Sequence, residues 1–217
     1  MEHVLEIKDL SITLNDNAIL KNIDMHVDAG EIVGFIGDNG SGKSTTMKAI
    51  ANLVFPAPDT ISISGFDVRR HSTEALKSLS AVIEEPVFFE NLSGADNLSI
   101  MANLRHTPLE DVMVFIHDYQ MEAHLKRKVR RYSQGMRKRL ALCLALAVDA
   151  DLFILDEPFS GLDQRGMRTL MNHLDDLRKK NKAVIVSSHQ LAELSRVMDR
   201  PIYIEDGRIV DHIDYSF

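Results

Sequence analysis

The sequence predicts an α/β fold with a mostly parallel sheet, an antiparallel β portion at the N-terminus and a helical subdomain. Residues 152–155 and 183–186 are short and wholly apolar, which is typical of parallel strands covered on both faces. A glycine-rich loop at residues 37–45 joins another apolar run to a helix-compatible segment. Residues 91–129 instead carry helical periodicity, which predicts a group of helices inserted between strands.

The composition is that of an ordinary globular chain. Of its 217 residues, 45% are hydrophobic and 26% are charged. The formal net charge of −7 argues against non-specific binding to nucleic acid, which relies on a basic surface. The longest apolar stretch, 140–148, is too short for a membrane-spanning helix, and the first residues lack the basic start of a signal peptide. The single cysteine, Cys143, lies within that stretch, so we expect it to pack in the core.

Apolar runs bounded by turn residues predict the strands. The segments predicted as strands are 4–14, 19–27, 31–36, 61–65, 79–83, 152–155, 183–186, 202–204 and 209–210. The turn at 15–17 makes the first two strands a hairpin. Asp206 and Gly207 supply the turn of a second hairpin that closes the chain.

Three helical segments have distinct features. Residues 140–148 are apolar on every side, which predicts a buried helix. The apolar residues that recur at helical spacing further on are Met167, Leu170, Met171, Leu174 and Leu177. They predict an amphipathic helix that lies on the sheet. A helix start is predicted at Thr107, with Pro108 at the first helical position and Glu110 closing a capping box.

The loop after the strand at 31–36 carries a phosphate-binding pattern. Its residues are Gly37, Asp38, Asn39, Gly40, Ser41, Gly42, Lys43, Ser44 and Thr45. A glycine, four residues, then glycine, lysine and serine, placed between a strand and a helix, form a nucleotide phosphate loop. The glycines let backbone N–H groups turn toward phosphate oxygens, while Lys43 reaches the β- and γ-phosphates and Ser44 offers a hydroxyl to Mg²⁺. The alternative is a glycine-rich turn with a solvated lysine.

Three further strands end in residues suited to nucleotide chemistry: Glu84, then Asp156 with Glu157, and then the segment that contains His189. Ligands of open α/β sheets bind beyond the carboxyl ends of strands, so we expect these residues to converge on one nucleotide. Asp156 is then a Mg²⁺ ligand, Glu157 polarises the attacking water, and His189 senses the γ-phosphate. The alternatives are a pair of helix-capping acids and a hydrogen-bonded core histidine.

A second candidate anion site lies at the start of the buried helix. Ser133, Gln134 and Gly135 precede that helix, so that exposed donors occur at a helix N-terminus. Two anion sites in one chain suggest that two chains pair, each capping the nucleotide held by the other. An ordinary serine cap is the alternative.

Together these motifs resemble those of the ATP-binding subunits of ABC transporters, in the same order and over essentially the full chain. GDNGSGKS resembles the Walker A motif, YSQGM the signature and LFILDEP the Walker B motif. The segment SGLD, which ends at Asp163, resembles the D-loop, and His189 resembles the switch histidine. The resemblance implies paired domains that close over two ATP, with Mg²⁺, with Glu157 as catalytic base and with Ser133 to Gly135 acting in trans.

The resemblance also implies a domain organisation. Residues 1–217 would form a single ABC ATP-binding domain. Its RecA-like P-loop NTPase core would span about 1–90 and 150–217, and its helical subdomain about 91–149.

Three positions depart from the family pattern. Leu14 stands about where an aromatic residue usually packs on adenine, and Glu84 stands at the Q-loop glutamine. The signature is YSQGM in place of the commoner LSGGQ. A carboxylate oxygen suits Mg²⁺, so Glu84 joins Ser44 and Asp156 as a candidate metal ligand. Glutamate in the Q-loop together with a YS-x-GM signature resembles the branch that serves bacitracin resistance and lantibiotic self-protection.

The resemblance predicts an ATP-hydrolysing subunit that powers an ABC transporter, and the branch suggests an exporter of a peptide antibiotic, a lantibiotic or another drug-like compound. Expected partners are a second ATP-binding subunit, most simply another copy of this chain, and a separate transmembrane permease, with no nucleic acid. The protein would lie peripherally on the cytoplasmic face of the cell membrane and would be soluble when isolated.

Phe88 and Phe89 either face the permease or pack inside the helical subdomain. The alternatives are a soluble ATP-gated clamp or regulator without a membrane partner, and a subunit that binds ATP but hardly hydrolyses it.

Overall fold

The computed structural model describes residues 3–188 and 191–212. The strands are β1 (Leu5–Leu14), β2 (Asn17–Val27), β3 (Ile32–Ile36), β4 (Ile61–Ile63), β5 (Phe66–Asp67), β6 (Leu79–Val82), β7 (Leu152–Leu155), β8 (Ala183–Ser187), β9 (Arg200–Glu205) and β10 (Arg208–Val210). The α-helices are α1 (Lys43–Ile50), α2 (Ser72–Lys77), α3 (Gly94–Leu104), α4 (Leu109–Asp118), α5 (Gln134–Leu146), α6 (Gln164–Lys179) and α7 (Leu191–Leu194). Short 3₁₀ helices at Glu122–His124 and Val129–Arg131 connect α4 to α5.

A six-stranded sheet with the order β10-β9-β3-β8-β7-β6 forms the centre of the fold. The strands from β9 to β6 pair in parallel, and β10 pairs antiparallel with β9. Every residue of β3, β7 and β8 is buried, as the uninterrupted apolar runs predict. The predicted α/β fold with a mostly parallel sheet is confirmed, and the carboxyl ends of its parallel strands meet at one edge.

The N-terminal strands form a second, antiparallel sheet with the order β2-β1-β4-β5. Asn15 and Asp16 turn the β1–β2 hairpin with φ angles of 48° and 62°. Asparagine and aspartate tolerate this left-handed region better than most residues, which accounts for the turn. The predicted antiparallel portion is therefore present.

Two apolar cores hold these layers together. One joins the antiparallel sheet and α1 to one face of the central sheet and includes Ile7, Met47 and Ile185. The other lies beneath α5 and α6 on the opposite face and includes Phe153 and Cys143. Cys143 is fully buried there, as predicted, and burial raises the pKa of its thiol well above the ordinary value.

The helices that follow β6 begin with different caps. At α3, the Ser93 hydroxyl accepts from the backbone N–H of Asp96, and the Asp96 carboxylate accepts from the N–H of Ser93. The predicted capping box at Thr107 is wrong. Pro108 occupies the N-cap of α4 with extended backbone, ψ 134°, and α4 begins one residue later than the Thr107 cap requires.

The last long helix is amphipathic, as predicted. The buried residues of α6 include Leu170, Leu174 and Leu177, which recur at the spacing of one helix face. Within the described ranges, no helix combines the length and the apolar character needed to cross a bilayer.

Candidate functional site

The glycine-rich loop leaves β3 and enters α1 through two residues in the left-handed region, Gly40 with φ 83° and Gly42 with φ 115°. Gly37 meets a steric limit as well, because a Cβ there would lie 2.3 Å from the carbonyl oxygen of Ile204. Ser41 is buried, and its Oγ has no hydrogen-bond partner in the described part of the chain. A loop with these glycines and an unmatched hydroxyl suits the oxygens of a bound phosphate.

Lys43 folds back over the loop that precedes it. Its Nζ donates to the carbonyl oxygens of Gly37 at 2.6 Å and Asp38 at 2.9 Å. The side chain is buried, and this burial lowers the pKa of Lys43 while the carboxylates of Glu157 and Asp156 oppose the shift. The ammonium group therefore lies at the loop, close enough to two acids to interact with them electrostatically.

Asp156 is where the strand ends meet. Its Oδ2 accepts from the Ser44 hydroxyl at 3.2 Å and from the backbone N–H of Glu84 at 3.3 Å. Its Oδ1 accepts from the Ser187 hydroxyl at 2.5 Å. These contacts bring together the carboxyl ends of β7, β6 and β8 and the start of α1. The structure thus places Ser44, Asp156 and the Glu84 backbone at one point, as the strand-end argument predicts.

Glu157 lies beside this point with left-handed backbone, φ 46°. Its N–H donates to the Ser187 hydroxyl at 2.9 Å, so Ser187 holds two consecutive acids. Lys138 from α5 donates to the carbonyl oxygen of Asp156 at 2.9 Å. Burial lowers the pKa of Lys138, and the charges of Asp156 and Glu157 counter this shift.

A cavity of about 320 Å³ opens over these acids. Its lining residues are Glu84, Glu85, Pro86, Gln134, Arg137, Lys138, Asp156, Glu157 and Ser160. The cavity offers room for water next to Glu157. The arrangement can therefore place water beside a carboxylate.

The neighbouring oxygens of Ser44 and Asp156 form a donor set that fits Mg²⁺. Mg²⁺ prefers oxygen ligands, and it commonly keeps several waters while binding one or two protein groups and substrate phosphates. A hydroxyl and a carboxylate 3.2 Å apart at the end of the phosphate loop meet that requirement.

Glu84 is engaged elsewhere. Its carboxylate forms an ion pair with Lys48 of α1 at 2.5 Å, while only its backbone N–H contacts Asp156. The left-handed backbone of Glu84, φ 59°, accompanies this arrangement. The structure therefore directs the Glu84 side chain toward α1, and its contribution to a metal site stays a prediction.

Ser133 and Gln134 of the signature segment are exposed at the start of α5, whereas Tyr132 is buried. The Ser133 hydroxyl accepts from the N–H of Met136, so the serine caps the helix. Gln134 donates to Glu85 at 3.5 Å. A Cβ at Gly135 would lie 2.7 Å from the carbonyl oxygen of Gly161, so the signature packs closely against the loop that leads to α6.

Asp163 and Leu14 complete the set of predicted positions that the structure describes. Asp163 caps α6, accepts from the N–H of Gly166 at 2.8 Å and pairs with Arg139 at 2.8 Å. The Gly166 hydrogen bond lowers the pKa of Asp163, and Arg139 adds to the effect. Leu14 ends β1 and is 41% exposed. His189 lies outside the described residues.

Sequence reasoning assigned no role to three side chains of the site. Ser187 and Lys138 hold the segment with Asp156 and Glu157, and Lys48 pairs with Glu84. The position of Ser187 at the end of an apolar strand was a usable signal. Lys138 stands between two other cations, Arg137 and Arg139, and only the packing of α5 distinguishes it from them.

A phosphate loop and acidic residues at the carboxyl edge of a parallel sheet place this protein among the P-loop nucleoside triphosphatases. Comparison with known proteins identifies the family within this class. Residues 20–160 match the ABC transporter family, and the chain belongs to the ATP-binding proteins of that family.

Two curated relatives and one solved structure support the same family assignment. The bacitracin transport ATP-binding protein BcrA of Enterococcus faecalis is 32% identical over 222 residues, covering 100% of this chain and 71% of BcrA. The lantibiotic transport ATP-binding protein SrtF of Streptococcus pyogenes is 30% identical over 213 residues, covering 98% of this chain and 92% of SrtF. A solved ATP-binding subunit of an ABC transporter has a TM-score of 0.88 at 29% identity, covering 95% of this chain and 88% of that one.

Proposed function

We propose that this chain binds and hydrolyses ATP to power an ABC transporter that exports a peptide antibiotic, a lantibiotic or a similar compound. The observation that carries the proposal is the meeting of Ser44, Asp156 and Ser187 beside the phosphate loop and Glu157. That arrangement can bind a nucleoside triphosphate and place a general base next to it.

Binding uses the loop from Gly37 to Thr45. Its N–H groups and the N-terminus of α1 face the β- and γ-phosphate oxygens, and Lys43 exchanges its loop carbonyl partners for those oxygens. Ser44 and Asp156 would hold Mg²⁺, which supplies positive charge to the phosphates when bound. Burial of Lys43 strengthens its attraction for phosphate, because water screens the charge less.

Hydrolysis then requires a base. Glu157 accepts a proton from water as the water oxygen forms a bond to the γ-phosphorus. The bond from that phosphorus to the oxygen shared with the β-phosphate breaks, and its electron pair leaves with ADP. Ser187 and Lys138 hold the Asp156–Glu157 backbone during this step. We propose that His189 contacts the γ-phosphate.

A second copy of the chain would complete the site. Ser133 and Gln134 are exposed, and their hydrogen bonds go to Met136 and Glu85 rather than to the phosphate loop. We infer that Ser133, Gln134 and Gly135 face the γ-phosphate of ATP in the partner chain, with Asp163 at the same interface. The helix N-terminus of α5 supplies donors for that contact.

The transport role also needs a membrane subunit. Phe89 is 54% exposed and Val87 is 92% exposed, whereas Phe88 packs against the core beneath α5. Exposed apolar residues near a nucleotide site suit contact with another protein. We propose that a separate permease covers this surface at the cytoplasmic face of the membrane. We also propose the division into a core of about 1–90 and 150–217 and a helical subdomain of about 91–149.

The choice of cargo rests on the relatives and on two sequence features. BcrA is named for bacitracin transport and SrtF for lantibiotic transport, and both match nearly the whole of this chain. Glu84 in the Q-loop and the YSQGM signature resemble the same branch. These observations favour export of a peptide antibiotic over other cargo.

ATP hydrolysis by the purified chain tests the core of the proposal. We expect Glu157→Gln to lower kcat by at least about a hundredfold while nucleotide affinity stays within about threefold, because the amide keeps the shape but cannot take a proton. Lys43→Ala should lose nucleotide binding itself. Glu205→Gln, an exposed glutamate at the end of β9, is the matched control and should behave like the wild type. Glu157→Gln protein that hydrolyses ATP at the wild-type rate would contradict the proposed base.

The cargo is tested separately in cells. We expect Glu157→Gln at the chromosomal locus to lower the inhibitory concentration of bacitracin or of a lantibiotic several-fold, while Glu205→Gln leaves it unchanged. Suppose that the Glu157→Gln cells keep the wild-type inhibitory concentrations while the purified wild-type chain hydrolyses ATP. That result would overturn the cargo assignment and leave the ATPase assignment standing.

A further inference from the structure

A cluster of nitrogen and oxygen ligands lies on the antiparallel sheet, apart from the residues of the nucleotide site. His3, His26 and Asp28 each offer one ligand atom, and these atoms lie within 4.8 Å of one another. The Nδ1 of His3 is 2.5 Å from Asp28 Oδ1, and the rings of His3 and His26 are 4.2 Å apart between centroids. Two imidazoles and a carboxylate therefore converge from segments that are far apart in the sequence.

The backbone around the cluster is well fixed. His26 belongs to β2 and pairs with Glu6 of β1, and the N–H of Val4 donates to the carbonyl of Val27 at 3.0 Å, which continues the ladder next to His3. Arg200 donates to the carbonyl of His26 at 2.6 Å. The backbone next to all three ligands is therefore held by hydrogen bonds of the sheet.

A second contact fixes Asp28. Its N–H donates to the Glu31 carboxylate at 2.9 Å, and Arg200 pairs with the same carboxylate at 2.5 Å. Glu31 and Arg200 thereby neutralise each other. The Asp28 carboxylate itself contacts the Nδ1 of His3 and also interacts electrostatically with His26 and Arg200.

We propose that His3, His26 and Asp28 bind a divalent transition-metal ion of the Zn²⁺ class. Imidazole nitrogens and a carboxylate oxygen suit Zn²⁺, whose bonds to such ligands are about 2.0–2.2 Å long. Three protein ligands of this type with water at a fourth position form a known zinc arrangement. His26 is exposed, and its ring already lies against that of His3, which contacts Asp28.

Metal binding would tie the residues before β1 to the end of β2. His3 precedes the first strand, whereas His26 and Asp28 flank the buried Val27. An ion that binds the folded chain better than the unfolded chain raises the melting temperature. The site takes no part in the proposed ATP chemistry, so its existence does not depend on the proposed function.

The test uses untagged, chelator-treated full-length protein titrated with Zn²⁺ in a calorimeter. We expect one Zn²⁺ per chain and a rise in melting temperature, with the affinity at least about tenfold weaker in His26→Ala and in Asp28→Asn. His71→Ala removes an exposed histidine at the start of α2 and is the matched control, which should bind as the wild type does.

Either of two results would overturn the proposal. One is the absence of saturable Zn²⁺ binding by the wild-type protein. The other is binding of equal stoichiometry and affinity in the wild type, His26→Ala and Asp28→Asn. Because His26 is exposed, metal-free His26→Ala should melt with the wild type, so a loss of Zn²⁺ binding in that variant would not reflect misfolding.

Discussion

Asp156 shows how one residue can organise a site. Its carboxylate accepts hydrogen bonds from Ser44, Ser187 and the Glu84 N–H, and its carbonyl accepts from Lys138. A buried carboxylate is tolerated only when it is hydrogen-bonded or paired, and these donors also fix its orientation. The neighbouring Glu157 is positioned as a consequence.

The contact of Lys138 leads to a prediction. We expect Lys138→Met to lower kcat by about tenfold or more with ATP affinity changed by less than about threefold, because a hydrogen bond from a charged group contributes about 1.5–3 kcal/mol. Lys138→Arg, which keeps a cation and donors, should recover part of the rate. Steady-state hydrolysis and equilibrium nucleotide binding separate the two effects.

The control for this prediction is Lys126→Met, which removes an exposed lysine that precedes α5. A Lys138→Met enzyme with wild-type kcat would mean that Asp156 and Glu157 keep their positions without the lysine.

At this scale the sequence predicts part of the site. The phosphate loop, Asp156 and Glu157 stand out because their types and spacing follow from strand, loop and helix order. The contacts of Lys138 and Ser187 with Asp156 join residues 18 and 31 positions apart. Such contacts depend on how α5 and β8 pack against β7, which residue types alone do not reveal.

At the scale of elements, the closing hairpin β9–β10 supports the phosphate loop. Gly207 in its turn donates to the carbonyl of Ser41 at 2.9 Å and accepts from the N–H of Lys21 at 2.8 Å. A Cβ at Gly207 would lie 2.0 Å from the carbonyl oxygen of Ile19, and its φ of 74° also favours glycine. One turn thus joins β2, the hairpin and the nucleotide site.

We therefore expect Gly207→Ala to lower the melting temperature by several degrees and to weaken ATP binding, because left-handed strain alone costs about 1–3 kcal/mol. Asp206→Asn is the control, since asparagine tolerates the left-handed φ of that turn position. Thermal unfolding and nucleotide titration provide the measurements. A Gly207→Ala protein that melts with the wild type would show that the turn can move away from β2.

Most strands and long helices could be predicted from the sequence, but the residues at which they begin could not. The β1–β2 and β9–β10 hairpins and the buried strands follow from turn residues and uninterrupted apolar runs, whereas the short strand β5 was not predicted. The start of α4 was misplaced because Thr107, Pro108 and Glu110 fit a capping pattern that the extended backbone of Pro108 shifts by one residue. Caps depend on local dihedral angles, and several sequences satisfy the same pattern.

At the scale of the whole molecule, two layers pack on opposite faces of the central sheet. The antiparallel sheet covers one face through a core with Met47, and α5 and α6 cover the other through a core with Phe153. The phosphate loop lies at the carboxyl edge between these layers. The fold was predictable because apolar periodicity reports burial directly, whereas the pairing of two chains depends on surfaces that one chain does not fix.

Pairing is the central claim, because the exposed signature at Ser133 is proposed to complete the site of a second chain. The most direct measurement is the molar mass of the Glu157→Gln protein by light scattering, with and without Mg-ATP. Blocked hydrolysis should trap ATP between two chains, so we predict a monomer without nucleotide and twice that mass with Mg-ATP. Ser133→Arg in the same background should stay monomeric. A Glu157→Gln protein that binds Mg-ATP yet keeps the monomer mass would contradict the account.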